Sequence, residues 1–432
     1  MFDGSKNKKR IDKLMSSKQK NLKNKFPRSF QVLTVATFID RMGSFLLFPF
    51  FSIYLVEKFN AEFIEVGFLF TLMSIGGLFG NMIGGAITDK IGRKKIIIFG
   101  LTVSGLGSIF MGLATSLEMF YILAVVLGFL GDIGGPARQA MVPDLLPKEQ
   151  HSQGYAILRI AINISATIGP ILGGFIAEES YMALFILDAV SSLITAFIVL
   201  FWIPETKPEL SPEIEKQSFL ETLKGYKVVL KDWTFMLFIG ISTILILVYM
   251  QMYSTLSVFL IAEREFTKQM IGWLMGFNAA MVVFLQFWVT KLVSRISLLK
   301  VMALGAVFYG VGFGMLGIVS QLWLIVLAMA IVTIGEMIAL PTSQSVAAKF
   351  APEDKRGRYM AIFGFSWAIP NLYGFILAGA IMDNYDPNWV WYGAAILSSI
   401  TVVSYLLLHQ KNKQRFSDDI EEIINNENIS EQ

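Results

Sequence analysis

Twelve stretches of this chain are apolar over roughly 20 residues each, the length one helix needs to cross the hydrocarbon of a bilayer. That pattern leaves few folds open. Inside hydrocarbon every backbone N–H and C=O must find a partner within the segment, so serial apolar runs fold as a helical membrane bundle. The predicted spans are 30–56, 63–87, 96–115, 118–140, 154–177, 181–203, 234–262, 268–292, 299–319, 322–347, 358–382 and 389–409. They are called spans 1 to 12 throughout. Composition agrees, with 54% hydrophobic and 16% charged residues, where a soluble domain carries about 25% charge.

Between spans 6 and 7 runs a polar stretch that opens on Pro204, Pro208 and Pro212. Its later part, Phe219 to Leu230, has the spacing of an amphipathic helix lying on the membrane surface. The chain therefore divides into a basic segment (1–29), a six-span half (30–203), a linker (204–232), a second six-span half (233–409) and a tail (410–432).

Lysine and arginine fix the orientation. With both termini inside, inside loops hold Lys90, Arg93, Lys94, Lys95, Lys148, Lys291, Arg295, Lys300, Lys349, Lys355, Arg356 and Arg358. Outside loops hold only Lys58, Arg264 and Lys268. This is the positive-inside distribution, and it requires an even number of spans. The first 28 residues carry ten bases against Asp3 and Asp12 and run straight into span 1. They read as a juxtamembrane segment facing anionic lipid rather than a nucleic-acid arm. No signal-peptide cleavage pattern follows, so span 1 is expected to stay as an anchor. The location is a cell membrane with both ends cytoplasmic.

There is no cysteine and there are only two histidines, His151 and His409. Thiolate metal sites, cysteine nucleophiles and histidine triads lack their parts. The expectation is no enzyme, no metal and no cofactor.

Sliding the sequence by 205 residues exposes a repeat: Ile91, Lys95, Gly100, Gly105, Gly107 and Gly112 fall on Ile296, Lys300, Gly305, Gly310, Gly312 and Gly317. Further along, Pro136, Gln139, Pro147, Ala156, Gly169 and Gly174 fall on Pro341, Gln344, Pro352, Ala361, Gly374 and Gly379. Aligned prolines and glycines are not forced by apolar composition. Two parallel six-helix halves with substrate bound between them are one way to build an alternating-access carrier.

The loop after span 2, Gly85-Ala86-Ile87-Thr88-Asp89-Lys90-Ile91-Gly92-Arg93-Lys94-Lys95, resembles the signature of the major facilitator superfamily. The resemblance implies twelve helices in two pseudo-symmetric bundles. It also implies that Gly85, Asp89, Gly92, Arg93 and Lys94 help hold the cytoplasmic side closed, with Arg138, Asp144 and Arg358 as partners. The second half reads Ser294-Arg295-Ile296-Ser297 at this loop, without acid or glycine, so the latch is expected to be asymmetric.

In span 5, Gly169, Pro170, Gly173 and Gly174 resemble the antiporter motif of the 12-span drug/proton exchangers, with Ser165 at the family's upstream glycine. Small residues there allow close backbone approach. Span 1 has Gly43 and Pro49, similar to another element of that pattern, with Ser52 at the second proline. Where that family carries an arginine in span 4, this chain has Ala124. Either another base replaces it or the coupling is built differently.

Ionisable groups in the bilayer cost at least about 2.5 kcal/mol each and so face a cavity or a partner. Span 1 carries Asp40 and Arg41, span 4 Asp132, span 5 Arg159, span 6 Asp188 and span 10 Glu336. Asp40, Asp132 and Glu336 are the candidate proton-coupling acids, and Arg41 and Arg159 their charge partners. Asp40 and Arg41 project about 100° apart, so one should face the cavity and the other a different helix, with Asp40 expected at the cavity. An Asp132–Arg159 or Asp132–Arg41 pair fits the span order. By the 205-residue offset Asp132 falls on Met337, beside Glu336. In the family, spans 1, 4, 7 and 10 line the cavity, which implies that both acids see substrate. Low dielectric strengthens a carboxyl's hold on its proton and a nearby arginine weakens it, so such a group can exchange protons during a cycle.

Candidate substrate contacts are Tyr249, Gln251 and Tyr253 in span 7, Asn278 in span 8, and Trp367 and Asn371 in span 11; Met250, Met252, Gln286 and Tyr373 lie near them. Aromatic and methionine walls with a few amides suit bulky lipophilic cations. The function expected is proton-coupled export of small lipophilic or cationic compounds by a monomer. The alternative is a carrier for one metabolite, such as a sugar, an amino acid derivative or a lipid precursor.

Overall fold

The computed structural model describes residues 26–206, 227–253, 255–352 and 355–412, and within these the side chains at 85, 86, 89, 90, 149, 152 and 357 are not described. The basic N-terminal segment, most of the linker with its amphipathic stretch, and nearly all of the tail lie outside the described residues.

Among the described residues, twelve helices are long and apolar enough to span a membrane: Arg28–Phe59, Phe63–Gly84, Arg93–Leu113, Leu117–Leu145, Gln153–Glu179, Tyr181–Trp202, Trp233–Met250, Lys268–Val293, Leu298–Leu316, Leu322–Phe350, Arg358–Asn384 and Trp389–Lys411. Large apolar side chains point outward along their length, including Phe284 at 73% exposure, Leu292 at 80% and Trp323 at 67%. Such a surface is unstable in water and at home in lipid. Span 1 has 32 residues, about 48 Å at the helical rise, so it reaches beyond a hydrocarbon layer of about 30 Å.

Two spans differ from the uniform helices expected. Span 4 is broken at Ile133 into Leu117–Asp132 and Gly134–Leu145. Pro136 has no N–H for the Asp132 carbonyl, and two glycines precede it, so the helical ladder loosens there. Span 7 stops at Met250 and resumes over Thr255–Arg264. Tight turns carry the break, with Gln251 N–H bonded to the Val248 carbonyl at 3.2 Å and Met252 N–H to Tyr249 at 3.1 Å.

The halves meet along two seams. Span 2 packs on span 11, and span 5 packs on span 8. The seams are the same structure used twice. Gly67 faces the Phe375 carbonyl while Gly272 faces that of Pro170; Gly379 faces the Phe63 carbonyl while Gly174 faces that of Lys268. Each residue of the first seam stands 205 positions from its counterpart in the second. A Cβ at any of these glycines would collide with facing backbone, so helix axes approach this closely only with glycine there. All hydrogen bonds between the halves among the described residues lie on these seams or towards the face opposite the termini.

Candidate functional site

Two chambers lie between the halves. The larger, of about 640 Å³, is bordered by Asp40, Arg41, Asp132, Arg138 and Asp188 on one side and by Met250, Tyr253, Asn371 and Phe375 on the other. Charge is therefore concentrated on the N-terminal half. The Asp40 carboxylate is fully engaged: Oδ2 accepts a hydrogen bond from Arg138 Nη1 at 2.7 Å, and Oδ1 accepts one from Ser192 Oγ at 3.3 Å. This ties spans 1, 4 and 6 together around an ion pair whose carboxylate is buried.

The division of labour between Asp40 and Arg41 thus differs from the expectation. Asp40 borders the chamber but reaches other helices, whereas Arg41 faces it with no carboxylate within 4 Å among the described residues. Asp132 projects into the same chamber, and neither the Asp132–Arg159 nor the Asp132–Arg41 ion pair forms. Arg159 is exposed and borders neither chamber. Ala124 is buried in an apolar cluster. The guanidinium groups in the chamber come instead from Arg41 in span 1 and from Arg138, lower on span 4.

The smaller chamber, of about 240 Å³, is enclosed by Phe45, Phe48 and Pro49 of span 1, Asn163 and Pro170 of span 5, Tyr253, Asn278 and Glu336. Glu336 Oε1 accepts a hydrogen bond from Tyr249 O–H and Oε2 accepts one from Asn278 Nδ2, both at 3.0 Å. Tyr249 and Tyr253 share a further bond at 2.8 Å, and Asn278 also donates to Thr333 at 2.9 Å. Both hydrogen-bond donors to this carboxylate are neutral. Asp132 and Glu336 sit one residue out of register in the repeat, and that 100° step turns them into different chambers. Phe45, Phe48 and Tyr253 border both, and the Phe48 and Tyr253 rings lie 6.2 Å apart between them.

Other predicted contacts are used differently. Gln251 is buried, donates to the Leu247 carbonyl at 3.0 Å and accepts from Thr255 at 2.7 Å, bracing the break in span 7 without bordering a chamber. Trp367 lies behind Tyr249, with ring centres 6.1 Å apart. Tyr373 is 59% exposed on the outer surface, Met252 is fully buried, and Gln286 donates to the Met337 carbonyl at 2.9 Å.

At the loop after span 2, Arg93 forms an ion pair with Asp144 and donates to the Ala140 carbonyl at 2.7 Å. Both partners belong to span 4, so this contact braces one half and does not latch the two together. Arg138 is occupied at Asp40, and Arg358 is exposed with no ion pair among the described residues. The Asp89 side chain and Gly85 lie outside what is described. Gly92 has φ of +112°, a backbone that only glycine adopts at ease, and beside it Glu205 accepts the Lys94 N–H at 3.1 Å.

The profile of the Major Facilitator Superfamily matches residues 33–296 and 242–424. The chain belongs to that superfamily. A Planococcus maritimus protein described as a Na(+), Li(+), K(+)/H(+) antiporter is 26% identical over 87% of this chain and 94% of its own length. The class B tetracycline resistance protein of Escherichia coli is 26% identical over 84% of this chain and 91% of its own. Among solved structures, the nucleoside transporter NupG superposes with a TM-score of 0.74 at 15% identity, covering 88% of this chain and 99% of its own. A POT family transporter in complex with 5-aminolevulinic acid gives a TM-score of 0.74 at 15% identity over 90% of this chain and 97% of its own. These relatives are transporters, and this superfamily member is a multi-pass membrane transporter rather than an enzyme.

Within the superfamily fold, the span 5 motif has a clear mechanical place. Gly169 and Gly173 lie against Phe45 and Leu46 of span 1, and Gly174 lies against Lys268 and Gln269 of span 8. The motif thus packs one helix against a neighbour in its own half and one in the other. Sequence reasoning missed the charged residues at this end. Lys268 Nζ meets Glu57 at 2.8 Å and stands 4.4 Å from the Tyr181 ring centre. Glu178 and Asp383 reach across the seams to backbone N–H groups of the opposite half. The 205-residue offset between those two acids was the available signal.

Proposed function

We propose that this transporter exports small lipophilic, singly cationic compounds in exchange for protons, by alternating access. The observation that carries the reading is the Glu336 carboxylate, enclosed by aromatic side chains and held only by neutral donors. An ionised carboxylate out of water demands a compensating positive charge. A proton and a cationic cargo satisfy that demand equally and exclude each other, which is the elementary condition for exchange. Phe45, Phe48 and Tyr253 offer ring faces to an organic cation. Asp132 and Arg41, in the larger chamber, are a second place where a proton is taken up or released.

The excess of lysine and arginine on the side of the termini supports a cytoplasmic location for both ends. The chambers then load from the cytoplasm, since the contacts joining the halves lie towards the other face. Exchange of one proton for one singly charged cation moves no net charge, so the pH gradient is the drive, worth about 1.4 kcal/mol for each tenfold difference in proton activity. One chain contains both chambers, so a monomer is sufficient.

A second reading follows from the Planococcus maritimus relative, whose description names alkali cations. The aromatic walls and the volume of about 240 Å³ around Glu336 favour an organic cation over a bare ion. The deciding experiment uses purified protein in vesicles with a pH-sensitive dye inside. Proton movement triggered by a panel of lipophilic cations supports the proposal. Movement with Na⁺ or K⁺ alone supports the second reading, and a response to one neutral metabolite only rejects both.

A further inference from the structure

The outer ends of the seams carry a device that is also duplicated. Glu178, at the end of span 5, accepts the backbone N–H of Lys268 through Oε1 at 2.9 Å. Asp383, at the end of span 11, accepts the N–H of Phe63 at 3.0 Å and of Ile64 at 2.7 Å. Phe63 and Lys268 are the first residues of spans 2 and 8. Acid and recipient are each related to their counterparts by the same 205 positions.

First-turn N–H groups have no acceptor within their own helix, and the positive end of the helix dipole favours a carboxylate. Local caps leave room for the foreign acid. Span 2 closes a capping box between Glu62 and Glu65, and Thr267 Oγ1 accepts the N–H of Met270 in span 8 at 3.2 Å. These local bonds serve the third position of each helix, while the acid from the other half serves the first, and in span 2 also the second. The contacts exist only while the outer ends are together.

We propose that Glu178 and Asp383 are reciprocal latches: each half seals the outer mouth of the transporter by capping a helix of the other, and releasing both caps opens that mouth. Both are positioning residues that touch no cargo. Both are exposed, so each carboxylate exchanges a helix end for water as the seam parts, without stranding a buried charge.

The latch rests on the alternating-access reading, and the test separates the two. The chain has no cysteine, so spin labels attach only at introduced Thr115→Cys and Ser320→Cys, exposed positions in outer loops of opposite halves. Pulsed dipolar spectroscopy of the full chain in nanodiscs then reads the outer opening directly. Glu178→Ala and Asp383→Ala are each expected to raise the open-to-closed ratio about fivefold, the typical effect of losing a cap, and the double variant multiplies the two. Glu178→Gln and Asp383→Asn keep an acceptor oxygen and should fall between, which also guards against a misfolded alanine variant. If the variants leave the distances unchanged while cargo or pH moves the unsubstituted background, the latch is wrong and alternating access stands. If nothing moves the distances in any protein, both are wrong.

Discussion

Asp132 and Glu336 are near-equivalents in the internal repeat, yet one faces a chamber with two guanidinium groups and the other a chamber with none. The duplicated fold therefore offers two carboxyl groups in unlike surroundings, separated by the Phe48 and Tyr253 rings. Unlike surroundings let one acid hold a proton while the other holds a charge.

Glu336→Gln preserves size and keeps an acceptor for Tyr249, but removes the charge. Cargo-triggered proton movement in vesicles should disappear, and affinity for a singly charged cation should fall at least about tenfold, corresponding to 1.4 kcal/mol. Binding measured by calorimetry and flux measured by an internal pH dye check the two halves of this statement.

Asp40 and Arg138 form a pair with side-chain exposures of 9% and 28%. Removing Arg138 leaves the buried Asp40 carboxylate without its ion-pair partner, at up to about 3–5 kcal/mol, whereas removing Asp40 leaves a guanidinium that the chamber still wets and costs less. Arg138→Ala should lower the unfolding temperature in detergent markedly and Asp40→Ala by less, and the double variant should lower it by less than the sum of the two.

Gly272 lies against the Pro170 carbonyl. Gly272→Leu forces the seam apart at a cost of about 1–3 kcal/mol. Each half should still assemble, with a monodisperse profile on size-exclusion chromatography, while vesicle flux falls at least about tenfold.

Tyr253→Ala removes the ring that, with Phe48, stands between the chambers, and it frees Tyr249 from its 2.8 Å bond. The merged cavity should accept bulkier cations and lose discrimination by size. A competition series of cations of increasing diameter measures it; a preserved size ranking counts against a dividing role.

Much of this architecture was legible because membrane insertion writes itself into sequence. Apolar runs place all twelve spans, and proline and glycine in register expose the duplication before any coordinates exist. Glu336 stood out for the same reason, since a lone acid in an apolar run needs a purpose. Partner choice was harder. Asp40 meets Arg138 because of how spans 1 and 4 rotate about their axes, and helical periodicity gives relative angles within one helix but not between two. The break in span 7 was hidden because Gln251 and Thr255 look like ordinary polar residues in a helix. Glu178 and Asp383 fall just past the predicted ends of spans 5 and 11, and the backbone N–H groups they accept belong to the distant half, which no pattern within one helix reveals.

The glycine seams have a kinetic implication. A surface made of bare backbone has no rotamers to sort, so docking avoids the roughly 0.5–1.5 kcal/mol that each immobilised flexible side chain would cost. On the alternating-access reading, Gly67, Gly174, Gly272 and Gly379 are joints that would come apart and re-seat without a search. Wear-free repetition, rather than tightness, is what such joints favour.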